Sequence, residues 1–425
     1  MNKLSLIWKT KDLRWKILMV LILLLLTRVL AHIPIPGISV EGLRAFFDSN
    51  QFLNLLNIFS GGGLKNFSIA LLGVGPYITA SIIMQLLVMV VPSLTDLQKE
   101  SGEAGRTKIN QYTRFLTIPL ALLSGFGTIR LLQSQGGADL LGVFTPFQWF
   151  VTLLSITAGT MLVMWIGEII SEYGIGNGLS LVIFAGIVAQ LPNSLGSLIQ
   201  LYDPSQLPTI IGFAVVAILV IAGVVLVTEA QRNVPVSYAR RMQGDKQVGG
   251  VETHLPLRLN QAGVIPIIFA ISLLLFPAII AQFFLHAKTA LLAQWAQKAI
   301  DFTNNQGVWY GVAYFVLVVL FTYFYTNVVV NPDEVAENMQ RSGGFVPGIR
   351  PGKQTADYLY KVLNRITLPG ALFLGFIAIL PFILQTVTGT RALTFGGTGL
   401  LIVVSVVIES IKQVEAQLTM HDYQN

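Results

Sequence analysis

The sequence contains no cysteine, which excludes disulfide staples, thiolate metal centres and cysteine nucleophiles together. Charge is scarce too: Asp, Glu, Lys and Arg make up 11% of the 425 residues against 53% hydrophobic, far below the roughly 25% charged usage of soluble domains. With a mean hydropathy of +0.68, an all-α polytopic membrane protein is expected. The middles of the apolar runs carry almost no ionisable groups. Glu168, Glu172, Glu229 and Glu409 fall near run ends, and Arg28 lies close to the end of the first run. Ion-coupled transporters place such side chains at midplane, so a proton or sodium relay has almost nothing to be built from. The four histidines, His32, His254, His286 and His421, form no i, i+4 pair, and no metal site is expected. Nucleotide motifs fail as well. PGIRPGKQT (347–355) has Pro347 where the first glycine of a phosphate loop belongs and Gln354 where its hydroxyl residue belongs. GIGNG (174–178) lacks the spacing and strand context of a dinucleotide fingerprint and reads as a turn between membrane helices. No cofactor is expected.

What is present is a series of long apolar runs. Ten spans are expected: Trp15 to Ala31, Phe59 to Val91, Thr113 to Leu132, Gln148 to Ile170, Leu179 to Ile199, Ile210 to Glu229, Ala262 to Phe284, Val308 to Val330, Leu368 to Val387 and Gly397 to Val414. Most are long enough for a hydrocarbon core of ~30 Å, which takes about 20 helical residues. No cleavable signal peptide is expected, because the run after Lys16 is too long and no small-residue cleavage site precedes the Pro34, Pro36 and Gly37 turn. With ten spans both termini share one side. Most of the 27 Lys and Arg residues fall there, and only Arg44, Lys65, Arg130, Lys288, Lys298 and Arg391 fall on the other side. That excess makes both termini cytoplasmic.

Two connections on the basic side are long, 231–261 and 331–367. The first alternates apolar and polar residues around a glycine-rich centre, as a β-hairpin would. The second groups Gly343, Gly344, Pro347, Gly348, Pro351 and Gly352 around Arg350, followed by a helical stretch from Thr355 to Asn364. Loops of this size in a compact bundle often carry function, although a solvated basic collar that only fixes orientation would read the same way.

The second span is broken. Gly61, Gly62 and Gly63 open a short amphipathic run, and Gly73, Gly75 and Pro76 interrupt the chain before an unbroken apolar helix from Tyr77 to Val91. Freed backbone groups are tolerated at membrane depth only where protein or a water-filled cavity receives them. The segment therefore lines a cavity or forms a re-entrant packing element, and composition does not separate the two. Ile78 and Ile82 share one helix face, as do Ile183 and Ile187; Ile267, Ile268, Ile271 and Ile402 are further apolar midplane positions. Meeting at midplane they would form a constriction that resists wetting. Taken alone, ordinary core or lipid-facing isoleucines explain them more simply. A weak repeat links GNGLSLVIFAGIV in the fifth span with GGTGLLIVVSVVI in the tenth, which fits two five-span halves of inverted topology. A secondary transporter for a small solute shares the span number, repeat and broken helix. It is disfavoured by the missing midplane charges and the two large basic loops.

Six segments carry a resemblance: PYITASIIMQLL (76–87), EAGRTKINQYTR (103–114), GIGNGLSLVIFAGIV (174–188), THLPLRLNQAGVIPIIFA (253–270), GFVPGIRPGKQT (344–355) and GTGLLIVVSVVIE (397–409). In this order they resemble the SecY family, the channel subunits of the bacterial Sec protein translocase, over nearly the whole chain. The resemblance implies ten transmembrane helices in two pseudo-symmetric halves, 1–205 and 206–425, around a central pore. A lateral gate would lie between spans two and three and spans seven and eight. It implies a pore ring of Ile78, Ile82, Ile183, Ile187, Ile268 and Ile402. A plug would comprise Gly62, Gly63, Leu64, Lys65, Asn66, Phe67, Ser68, Ile69, Ala70 and Leu71, reaching about Leu72. It implies passage of unfolded, signal-sequence-bearing polypeptides across, and release of apolar helices into, the lipids of the bacterial cytoplasmic membrane, with no reaction catalysed. The implied partners are the small membrane subunits SecE and SecG, the SecA motor ATPase and the ribosome, docking on Arg240, Arg241, Lys246, Arg258, Arg350 and Gly352. One departure stands out: relatives often carry a basic pair at the hairpin tip, where this chain has Asp245 and Lys246. A reporter fused after Asn425 should read out as cytoplasmic, and an external signal would reverse the topology.

Overall fold

A computed structural model of the chain describes residues 10–35, 57, 62–100, 102–133, 144–200, 207–238, 241–243, 246–248, 252–285, 289–305, 307–388 and 397–424. A helix lies over each of the ten stretches read as spans: α1 (Lys11–Leu30), α2 (Gly75–Val90), α4 (Gly102–Leu132), α5 (Pro146–Tyr173), α6 (Gly178–Gln200), α7 (Leu207–Glu229), α8 (Ile265–Phe284), α10 (Val308–Val329), α12 (Lys353–Thr388) and α13 (Gly397–Gln424). Three shorter helices stand between them: α3 (Pro92–Glu100), α9 (Ala290–Asn305) and α11 (Pro332–Arg341). Among the described residues α4, α5, α10 and α12 are each long and apolar enough to cross a membrane alone. α2 meets the same measure only with α3, and the pair is bent by 102°. Pro92 causes the bend, because it lacks an N–H and holds Val91 in extended backbone (φ −97, ψ 108). α5 starts where Pro146 follows Thr145, whose side chain accepts from the Gln148 N–H while Gln148 caps in return.

One large apolar core joins α2, α5, α6, α8, α10, α12 and α13. α8 is held to α10 by edge-to-face contacts of Phe269 with Phe321 and Tyr325, both 5.9 Å between ring centroids. The outward faces of α1 (Leu21, Ile22, Leu25) and α7 (Ile218, Leu219, Leu226) are exposed and apolar, as lipid-facing surfaces must be.

The expected hairpin is present: β1 (Gln231–Tyr238) runs antiparallel to β4 (Glu252–Arg258), from Gln231 opposite Arg258 to Ser237 opposite Glu252. β2 (Arg241–Gln243) and β3 (Lys246–Val248) make a second ribbon at its tip. The sequence reading missed that the other edge of β1 pairs with β5 (Gly344–Phe345), in the second long connection. The two connections therefore form one unit, with a core of its own that includes Val234, Val236, Leu257, Val346, Leu359 and Leu363. The helical stretch expected at 355–364 also corrects outward, because it runs unbroken into the ninth span as α12.

GIGNG is the turn between α5 and α6. The Asn177 side chain accepts from the N–H groups of Leu179 and Ser180, Gly178 donates its N–H to Ser171 Oγ, and Gly176 has φ +88. A Cβ on Gly178 would stand 1.9 Å from the Gly167 carbonyl oxygen. Gly178→Ala should accordingly lower thermal stability, by about 1–3 kcal/mol as overpacking generally does. Gly311→Ala, where nothing lies within 4 Å, should leave the melting temperature unchanged or slightly raised.

Candidate functional site

The site begins with the broken span. Residues 62–74 form a chain of turns rather than a helix, so their backbone groups need partners from elsewhere. They find them in the strand-like exit of α1. Ile35 N–H donates to Phe67 O and Ile69 N–H to Ile33 O, each at 3.0 Å, closing an antiparallel bridge between Pro34 and Ser68. Asn66 Nδ2 donates to Ala31 O at 3.2 Å, and Ser68 Oγ donates to Gly63 O at 3.1 Å. Asn57 holds the other end, accepting from Gly62 N–H on its carbonyl and from Lys65 N–H on its side chain. Phe67 has φ +43 although it is not glycine, a strained state of about 1–3 kcal/mol that persists only when surroundings enforce it. Its surroundings do so: Phe67 is fully buried with Leu64 and Leu71 against Ile129, Leu132 and Ile156 of α4 and α5.

Gly159 on α5 makes this seat. A Cβ there would lie 2.0 Å from the Ile69 carbonyl oxygen, so only glycine lets the turns press flat on the helix. Sequence reading passed Gly159 and Asn57 by. A small residue inside an apolar helix was the available signal for the first.

Beside this seat the isoleucines converge. Ile78 and Ile82 from α2, Ile183 and Ile187 from α6, Ile268 from α8 and Ile402 from α13 are none more than 9% exposed, and all six belong to one buried cluster with Ala70 and Val74. Ile267 and Ile271 lie in the same cluster. Along the seam where α8 meets α2 and α4 the packing is closed: a Cβ on Gly127 would stand 2.6 Å from Ile279 Cγ2. A cavity of about 90 Å³ remains between the 62–72 segment and the seam, lined by Leu71, Thr79, Thr128, Ile268 and Leu275 among others. It is smaller than an ordinary small-molecule pocket of ~300–1,000 Å³.

The basic residues divide. Arg350 is exposed on a loop fixed by Thr355 Oγ1 donating to the Arg350 carbonyl at 2.9 Å, with Gly348 (φ +82) and Gly352 (φ +92) in the left-handed region. Arg350 has no ion-pair partner among the described residues. The β1–β5 pairing places this loop on the same unit as the hairpin whose tip strands carry Arg241 and Lys246. Arg258 stands apart, opposite Gln231 at the foot of the hairpin, where Leu259 N–H donates to Ala230 O as the chain re-enters the bundle. Arg240 and Asp245 lie outside the described residues. The described residues contain no group of His, Asp and Glu able to hold a metal.

The sequence matches the SecY family over residues 68–411. It is 44% identical over 430 residues to the protein translocase subunit SecY of Streptomyces coelicolor, covering 98% of this chain and 97% of that one. Its fold resembles a solved SecY protein, studied for how the plug domain stabilises the closed translocation channel and maintains a membrane seal, with a TM-score of 0.61 at 21% identity over 94% of this chain and 91% of that one. It also resembles the channel of the canine ribosome-channel complex from the endoplasmic reticulum, with a TM-score of 0.56 at 22% identity and the same coverage. A match along nearly the whole length, on a fold shared with translocation channels, means that the chain belongs to the SecY family, channel subunits of protein translocase rather than enzymes.

Proposed function

We propose that unfolded secretory polypeptides cross the bacterial cytoplasmic membrane through the isoleucine cluster, between halves formed by residues 1–205 and 206–425, with both termini cytoplasmic. The observation that carries this reading is the convergence of six isoleucines from four helices beside a seated, glycine-opened segment. Such a ring suits a passage for chains of any sequence. Aliphatic side chains deform around residues of many sizes and offer no hydrogen bond or charge that would hold them, and conduction requires weak binding. With the ring closed the same residues exclude water and ions. Residues 62–72 act as the plug, and the related structure's plug, described as maintaining a membrane seal, supports that role.

The seam of α2 and α4 against α8 and α10 is the lateral gate. Parting it at Gly127 and Ile279 opens the ring toward lipid, so an apolar signal helix leaves by the transfer that stabilises any membrane span. No nucleotide motif is present, so the driving energy comes from partners: the SecA motor ATPase or the ribosome on the polar unit, with SecE and SecG alongside in the bilayer. The ribosome-bound state of one structural relative supports the second of these. Arg350 and Gly352 are the main docking point, and Arg240, Arg241 and Lys246 meet an acidic motor surface or RNA phosphate. Arg258, at the hairpin foot, serves a contact nearer the membrane.

Cysteines replacing Ile82 or Ile187 should crosslink to a secretory polypeptide stalled in transit, whereas a cysteine replacing the exposed Leu219 on α7 should not. Crosslinks at Leu219 alone would place the path elsewhere. Arg350→Glu should reduce motor-driven export to background while the chain still inserts; unimpaired export would remove Arg350 from the mechanism.

A further inference from the structure

The function described above uses α2, α4, α6, α8, α10, α13 and the polar unit, and leaves α9 without a role. This helix connects α8 to α10 at the end of the bundle opposite the β-sheet. Its 16 residues reach ~24 Å at 1.5 Å per residue, too short for a ~30 Å core. It carries three faces instead of two. Ala296, Ile300 and Thr303 are buried, and the first two pack on Ala281 of α8. A second face is polar, with Gln294, Gln297 and Asp301, the last accepting from Gln297 Nε2 at 3.0 Å. The third is apolar and uncovered: Leu291 is 66% exposed, Trp295 69% and Phe302 42%. Lys298 lies on the border between the apolar and polar faces, its Nζ 5.4 Å from the centroid of the Trp295 ring.

We infer that α9 is an interfacial helix whose partner is the phospholipid surface, with Leu291, Trp295 and Phe302 set among the upper acyl chains and Lys298 among the phosphates. Two observations choose lipid over a protein partner. The apolar face meets the start of α10, with the Phe302 ring 5.9 Å from that of Tyr310, where Val308 and Trp309 are about four-fifths exposed and precede the exposed Val312, Val316 and Leu320 of the same helix. The composition also fits: aromatic and aliphatic residues on one side, a lysine at the edge and a polar outer face mark helices that lie in the headgroup boundary, and Trp concentrates at that depth. Because α9 is packed on α8 and leads directly into α10, the interface then holds both helices on one side of the gate. The inference rests on α8 and α10 crossing the membrane as the SecY fold requires.

The chain has no cysteine, so spin labels can be placed singly by Leu291→Cys, Phe302→Cys, Gln297→Cys, Asp301→Cys and, as a membrane control, Val316→Cys. The assembled complex would be reconstituted in phosphatidylethanolamine and phosphatidylglycerol bilayers. Labels at 291 and 302 should collide more with oxygen than with a water-soluble nickel chelate, and labels at 297 and 301 should show the inverse ratio. Chelate access at all four α9 positions, or shielding of 291 and 302 from both reagents by a protein partner, would overturn the assignment while a lipid-exposed 316 leaves the channel fold intact. Chelate access at 316 would instead remove the membrane reading from which the inference starts.

Discussion

Hydrocarbon offers a polypeptide backbone no hydrogen bonds, and the architecture depends on how this chain meets that constraint where it is not helical. Residues 62–74 are the test. Their N–H and C=O groups are received by the exit of α1, by Asn57 and by Ser68, all of them protein groups. The first turn of α2 takes up the last of them, Gly75 N–H donating to the Leu72 carbonyl and Ile78 N–H to the Val74 carbonyl, so the segment is tied to the exit of α1 on one side and to α2 on the other.

In the channel proposed above, closure is spread over three contacts of different chemistry. The isoleucine cluster seals by dispersion and exclusion of water, the turns of 62–72 by a shape fit on Gly159, and the seam by the fit of Ile279 on Gly127. Ile268 belongs to the cluster and also lines the small cavity together with Leu71 of the turns and Ile279 of the seam. In the mechanism proposed above, a polypeptide that parts α8 from α4 moves a ring residue in the same step, because Ile268 and Ile279 share one helix.

Much of this was legible in the residues. Ten apolar runs set the helices, the glycine and proline breaks located the turns of 62–74, and the isoleucine pairs at i, i+4 marked two faces that do meet. The resemblance, not periodicity, brought those faces into a ring, because an apolar face packed on protein and one turned to lipid read identically in sequence. Gly159 and Gly127 were legible only as small residues inside apolar helices, for a related reason: such a glycine signals close approach without saying what approaches. α9 escaped notice because its 16 residues are too few and too polar for a span. The β5 strand has two residues, too few to carry an alternation.

That short strand changes how the polar connections act. Separate loops would each yield to a partner, but β5 closes the hairpin onto the segment bearing Arg350, and the unit's core includes Leu359, Leu363 and Ile366 from the first turns of α12. α12 has 36 residues in all, with Pro369 and Pro381 inside it, which is ~54 Å at 1.5 Å per residue, and it packs along α10 for much of its course. In the mechanism proposed above, a partner's push at Arg350 reaches α12 through this packed unit, and α12 lies against α10, one of the helices of the proposed gate.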